Sequence, residues 1–425
     1  MPDSKDHPAN VRPRTAVLTA GFDPSLSVGS ARPAVFRSST YVFSSPEAAE
    51  RAFDIIGGRA APEPGESVDL IYSRFNHPNA EILEDQIVPL EQGAEGAAVF
   101  NSGMAAIMTA LLAFTKPGDT VVYSVPIYGG TQHFVEDFLA PWGVKGVPAR
   151  AGRGDELDRA ILDSENVAVV LLETPANPTL VMTDLLRAAA TMGRRPGPRP
   201  VMMVDNTFLG PTFQHPLTLG ADIVLYSATK YLSGFSDMIA GVALARDREL
   251  IRRMKAKRGL FGNILQPDEC WMLDTRLPTV ALRMNRSSKN AQRIAETLRE
   301  HPQVARVFYP TLFDDPEQKR IYESQCDFPG GIISLDLKGG KAAAFEFLRH
   351  VKIARTAVSL GGVETLVCHP KSTTHSGFSE QEFEIAGVTD GLIRISVGIE
   401  DWRDLLVDFQ TALDAVGALE PVAAL

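Results

Sequence analysis

The stretch PVMMVDNTFLGPTFQHPLTLGADIVLYSATKY, residues 200–231, carries the reading of the fold. It holds two apolar runs, 200–204 and 223–226, and each ends in polar residues: Asp205-Asn206-Thr207 after the first, Ser227-Ala228-Thr229-Lys230 after the second. Short, nearly continuous aliphatic runs bounded by turn residues suit strands buried on both faces. Working outward, further runs of this kind lie at 97–100, 120–123, 167–172 and 240–244, and helical patterns at 104–114, 132–140 and 183–192. Strands alternating with helices predict βαβ units around a largely parallel sheet. Such sheets bind ligands outside the carboxyl ends of their strands, so the two polar clusters sit where chemistry is expected.

The flanking segments differ in texture. Residues 1–65 read as an irregular arm with scattered Pro and Gly, expected to contact a neighbouring subunit. The run GRRPGPRP, 193–200, cannot continue a helix and predicts a surface loop. Beyond about 275 come a long amphipathic helix at 283–299, a strand at 330–335, a helix at 341–351, a Gly/Ser/Thr/His loop at 359–376, a strand at 392–397 and a closing helix at 401–416. The expected class is therefore α/β, with a large sheet domain over 66–275 and a smaller α/β domain over 276–425.

Composition narrows the function classes. With 44% hydrophobic and 22% charged residues in 425, the chain has the make-up of an ordinary globular protein. A net charge of −10 argues against a broad nucleic-acid-binding face. Cys270, Cys326 and Cys368 are odd in number and far apart, giving neither a disulfide framework nor a metal motif and pointing to a reducing compartment. The start MPDSKDHPANVRPR has no apolar core and no run approaches the ~18 apolar residues of a spanning helix, so a cytoplasmic protein without membrane association is expected.

Three clusters carry chemistry. Asn101-Ser102-Gly103-Met104 stands where a strand gives way to a helix, a place where main-chain N–H groups and the helix dipole attract phosphate. Alone it is no more than a good helix cap. Asp205 at a strand end could hold a protonated ring nitrogen. Lys230, framed by Ser227 and Thr229, is a candidate nucleophile, because a lysine amine condenses with carbonyls, although a solitary lysine is usually a solvated charge. One cofactor needs an amine, a carboxylate for a basic ring nitrogen and a phosphate cradle together: pyridoxal 5'-phosphate. No G-x-G-x-x-G follows the first strand, which argues against a nucleotide-binding Rossmann protein.

Ser227-Ala228-Thr229-Lys230-Tyr231-Leu232-Ser233-Gly234 resembles the cofactor-lysine signature of the Cys/Met metabolism pyridoxal phosphate enzymes, which include cystathionine γ-synthase, cystathionine lyases and methionine γ-lyase. Tyr72-Ser73-Arg74, Ser102-Gly103-Met104-Ala105, Tyr128-Gly129-Gly130-Thr131, Glu173-Thr174-Pro175-Ala176-Asn177-Pro178, Asp205-Asn206-Thr207, Ser359-Leu360-Gly361-Gly362, Thr373-Thr374-His375 and Arg394-Ile395-Ser396-Val397-Gly398 extend the likeness over about 15–416. The resemblance implies a fold type I, aminotransferase-like architecture. It implies that Lys230 joins the cofactor covalently and moves protons, with Asp205 on the ring nitrogen. Gly103, Met104, Ser227 and Thr229 would hold the phosphate, Tyr128 would stack on the ring and assist proton transfer, and Arg394, Ser359 and Asn177 would bind the substrate carboxylate. Tyr72 and Arg74 would reach the phosphate of the adjacent subunit, so active sites would be shared within dimers that pair into a homotetramer.

The chain departs from the family pattern at Phe235, where His is usual, at Thr275-Arg276-Leu277-Pro278-Thr279-Val280, and at Asn76-His77-Pro78-Asn79. Before Ser359, cystathionine-handling members often carry Glu, a partner for a distal ammonium; here Val358 offers none. Against this, methionine γ-lyase-like sequences typically carry Cys where Gly130 stands. The expected reaction is carbon–sulfur lysis or γ-replacement on a methionine- or homoserine-type amino acid, of the trans-sulfuration type. Cystathionine γ-synthase is the alternative, and a non-catalytic pyridoxal phosphate-binding protein, suggested by Phe235 and Pro278, is the alternative of another class.

Overall fold

The computed structural model describes residues 11–63, 66 and 68–418. Seven strands, β1 (Gly96–Phe100), β2 (Thr120–Val125), β3 (Lys145–Arg150), β4 (Val167–Glu173), β5 (Val201–Asp205), β6 (Ile223–Ser227) and β7 (Gly241–Ala245), form one sheet in the order β1-β7-β6-β5-β4-β2-β3. Every pairing is parallel except those of β7, which runs antiparallel to both β1 and β6. The carboxyl ends of β1, β2, β4, β5 and β6 therefore share one edge. On β5, Met202 and Val204 pack into one buried cluster and Met203 into another; on β6, Val224 and Tyr226 divide from Ile223 and Leu225 in the same way. The two-residue period of a strand thus feeds a helix layer on each face of the sheet.

A second sheet, β8 (Val304–Phe308), β9 (Ile332–Leu337), β10 (Arg355–Thr356), β11 (Leu366–Cys368) and β12 (Leu392–Ser396), has the order β10-β11-β12-β9-β8 and is antiparallel except between β10 and β11. Ile333, Leu335, Ile393 and Ile395 belong to the same buried cluster as Val204 and Val224, so the two sheets share a continuous apolar interior; the helix Val280–Leu298 packs on β8 and β9 and reaches the Tyr231 and Leu232 carbonyls through Arg283.

The arm differs from its expectation. It contains an eleven-residue helix, Pro46–Ile56, opened by Ser45, whose side chain accepts the N–H of Ala48, and by Pro at its first position. Proline there is a helix starter, and reading it as a breaker hid the element. The first ten residues of the arm, with 64 and 65, lie outside the described residues. The helix expected over 132–140 is split into an α-helical turn, Gly129–His133, and a π-helical stretch, Phe134–Leu139. Strand β3 escaped notice because Gly146 and Pro148 interrupt it, and it lies at the sheet edge, where proline is tolerated.

Candidate active site

Lys230 stands in the turn after β6, held by its N–H on the Ser227 carbonyl at 3.1 Å and by the Gly234 N–H on its own carbonyl at 2.8 Å. Its Nζ donates to Ser359 Oγ at 2.9 Å. That meeting depends on Gly361, at φ +77°, where a Cβ would stand 2.7 Å from the Tyr231 nitrogen and 3.2 Å from the Lys230 Cβ. Only glycine lets the 359–361 loop lie so close to the lysine turn. The Gly361 N–H also donates to Ser396 Oγ at 2.9 Å, tying the loop to β12. Burial, with a smaller contribution from the Arg394 charge, brings the Lys230 amine down to about 8.

Asp205 closes β5. Thr207 donates to its Oδ1 twice, from Oγ1 at 2.6 Å and from N–H at 3.0 Å, and Thr207 Oγ1 in turn accepts the Ser227 N–H at 2.9 Å. Oδ2 therefore has no hydrogen-bond partner among the described residues and can accept a further donor. Beside Asp205, in register across the sheet, stands Glu173, the last residue of β4. Burial raises both carboxyl groups, and the Asp205 charge raises Glu173 further.

The phosphate-cradle candidates are assembled by two glycines. A Cβ on Gly103 would lie 3.0 Å from Ser227 Oγ, so the N-terminus of the helix Gly103–Phe114 abuts the β6 turn directly. A Cβ on Gly130 would meet the Tyr128 ring at 2.8 Å and Met104 Sδ at 3.0 Å, which places Tyr128 and Met104 side by side. Tyr128 is 51% exposed. Thr229 Oγ1 accepts the Ala240 N–H at 3.1 Å and donates to the Ala240 carbonyl at 3.2 Å, so its proton would have to turn from that carbonyl to serve a phosphate oxygen.

Arg394, on β12, is 2% exposed. Its Nη1 donates to Asn177 Oδ1 at 3.1 Å and its Nη2 to the carbonyls of Val358 at 2.7 Å and Ser359 at 3.1 Å, while buried Nε has no partner among the described residues. A buried guanidinium without a carboxylate partner is costly, and the carboxylate of an amino acid would complete it. His375, buried alongside, is held down at about 4 by burial and by Arg394, and is therefore neutral near pH 7.

Tyr72 and Arg74 stand apart from this cluster. The Arg74 guanidinium donates to the Gly259 carbonyl and lies over the Phe75 ring at 4.7 Å and the Tyr72 ring at 5.8 Å. Among the described residues, no hydrogen bond or ion pair joins either residue to Lys230, Asp205 or Arg394. Two departures from the family pattern prove to be one contact: the Phe235 ring lies beneath Arg276 at 5.0 Å and Arg283 at 5.6 Å, and Arg276 pairs with Asp237. Sequence reasoning gave no role to Glu173 or Thr207. Glu173 was within reach, because it ends the apolar run 167–172 just as Asp205 ends its own.

These residues fit pyridoxal 5'-phosphate: an amine of lowered basicity, a carboxylate with one unclaimed oxygen, and a helix start that only glycine allows to approach Ser227. The comparisons agree. The family model for Cys/Met metabolism PLP-dependent enzymes matches residues 14–414. The chain is 38% identical over 404 residues to the L-methionine gamma-lyase of Fusobacterium nucleatum subsp. nucleatum, covering 95% of this chain and 98% of that one. It is 35% identical over 412 residues to the cystathionine gamma-synthase of Mycobacterium bovis, covering 97% and 99%. A cystathionine gamma synthase from Xanthomonas oryzae pv. oryzae, solved in complex with cystathionine, superposes with a TM-score of 0.87 at 31% identity, over 96% of this chain and 100% of that one. The chain belongs to the Cys/Met metabolism PLP-dependent enzymes, a carbon–sulfur lyase or γ-substituting enzyme whose cofactor is pyridoxal 5'-phosphate.

Proposed function

We propose that the enzyme eliminates or replaces the γ-substituent of a methionine- or homoserine-type amino acid. The observation that carries this reading is Val358. It is 54% exposed, its carbonyl is bound by Arg394, and it adjoins the serine that contacts Lys230. A side chain in that position faces whatever extends from an amino acid whose carboxylate is on Arg394, and an isopropyl group favours an uncharged thioether or ester over a second ammonium.

When bound, pyridoxal 5'-phosphate supplies an electron sink for negative charge at the substrate Cα. The rest belongs to the protein. Lys230 Nζ would bind the cofactor and then move the Cα proton, and its lowered basicity keeps much of the amine neutral near pH 8. Asp205 Oδ2 would hold the ring nitrogen protonated, with Oδ1 fixed by Thr207. Gly103, Met104, Ser227 and Thr229 would hold the phosphate, Tyr128 would cover the ring, and Arg394 with Asn177 and Ser359 would orient the amino acid. Tyr72 and Arg74 would act across a dimer interface, within a tetramer of paired dimers.

Cystathionine γ-synthase is the second reading, favoured by Gly130: a side chain there would press on the Tyr128 ring and Met104, so this pocket keeps an opening where methionine γ-lyase-like sequences carry Cys. Holoenzyme supplied with L-methionine should release 2-oxobutanoate, methanethiol and ammonia, or with O-acetyl-L-homoserine and a thiol should yield a thioether and acetate. Absence of both products overturns the proposal, and cysteine-dependent consumption of the ester to give cystathionine selects the second reading.

A further inference from the structure

Glu173 is 6% exposed and ends a strand whose preceding residues are all apolar. Its N–H donates to Ser124 Oγ at 2.9 Å, fixing the main chain between β2 and β4. Its side chain then spans two loops. Oε1 accepts the Asn177 N–H at 3.0 Å, and Oε2 accepts the Tyr128 N–H at 2.7 Å. Asn177 is the residue on Arg394 Nη1, and Tyr128 carries the ring that flanks Met104. One carboxylate therefore anchors both the aromatic cover and the arginine clamp, directly beside Asp205.

The cost of such a group is high. Burial and the Asp205 charge both disfavour its ionised form. A glutamine of the same shape would avoid that cost, but its NH2 group cannot accept the second amide. We propose that Glu173 is a positioning residue, which fixes Tyr128 and Asn177 relative to each other through its two oxygens and so sets the spacing between the ring cover and the substrate-carboxylate clamp. This rests on the reading of Arg394 and Asn177 as that clamp.

The test uses holoenzyme and L-alanine, which carries the amino and carboxylate groups but no leaving group, so that binding is read apart from turnover. In Glu173→Gln, the carboxamide NH2 faces one of the two amide N–H groups, so one hydrogen bond is lost and a buried donor is left unpaired, a loss worth about tenfold in an equilibrium constant. The dissociation constant for L-alanine should rise about tenfold. The visible circular dichroism of the bound cofactor should change as Tyr128 reorients, with the melting temperature close to that of the parent. Double substitution with Asn177→Ala should weaken alanine binding no further than Asn177→Ala alone. Folded Glu173→Gln with parental alanine affinity and an unchanged dichroism band overturns the proposal. Arg394→Ala in the same titration separates the two readings. If it leaves alanine binding intact, the clamp itself is wrong; if it weakens binding and Glu173→Gln does not, only the role of Glu173 falls. Glu173→Asp keeps the charge but is one methylene too short to span both amides, and is expected to show the same losses should the carboxamide variant fail to fold.

Discussion

If Lys230 is the residue that captures the cofactor, it can attack the aldehyde only as the neutral amine, so the surroundings that lower its basicity would act on assembly of the holoenzyme. Burial dominates and Arg394 adds to it, bringing the group down to about 8. Below that pH the protonated fraction is inert, and the rate of cofactor capture by apoprotein should rise about tenfold per pH unit, then level off above about 8. Removing the Arg394 charge with Arg394→Ala should let the amine hold its proton more tightly, moving the midpoint to higher pH. Stopped-flow absorbance of the lysine-bound cofactor measures both; a rate flat through pH 8 would show that another group governs the step. The Lys230→Ala protein should give no such band at any pH.

Among the elements, the 359–361 loop is the most exacting. Gly361 takes a left-handed conformation and admits no Cβ against the Tyr231 nitrogen, so the loop is pinned to the turn that carries Lys230. In Gly361→Ala, left-handed strain of about 1–2 kcal/mol adds to a direct collision, and the loop must withdraw, taking Ser359 from Nζ. The expected result is a lower melting temperature together with a raised KM; parental values of both would refute the pinning. The same loop marks the limit of reading by sequence. Strands β4, β5 and β6 were legible because burial on both faces leaves an unbroken apolar run, and Asp205 and Lys230 were legible because each ends such a run or its turn. The packing of Gly361 on Lys230, the bond from Tyr128 to Glu173, and the contact of Phe235 with Arg276 join residues 131, 45 and 41 positions apart, and no local period records them. The helix Pro46–Ile56 was lost for a different reason, a proline whose meaning depends on whether it opens or interrupts a turn.

At the scale of the molecule, the proposed site around Lys230 would gather cations against two anions, the cofactor phosphate and the substrate carboxylate, within a chain of net charge −10. Arg74 is the candidate cation left outside it. Its guanidinium is stacked on Phe75 and bonded to Gly259, within a segment bridged to the arm through Thr40 and Tyr72, and Tyr72 is exposed. If Arg74 serves the phosphate of a neighbouring subunit, one working site takes Lys230 from one chain and Arg74 from the other. Lys230→Ala and Arg74→Ala homo-oligomers should then each be nearly inactive. Unfolded, mixed in equal amounts and refolded with cofactor, they should form hybrid dimers in which one of two sites combines both intact residues, restoring about a quarter of parental activity by random pairing. Were Arg74 to act within its own chain, every site in the mixture would lack one residue, and refolding the two together would restore nothing.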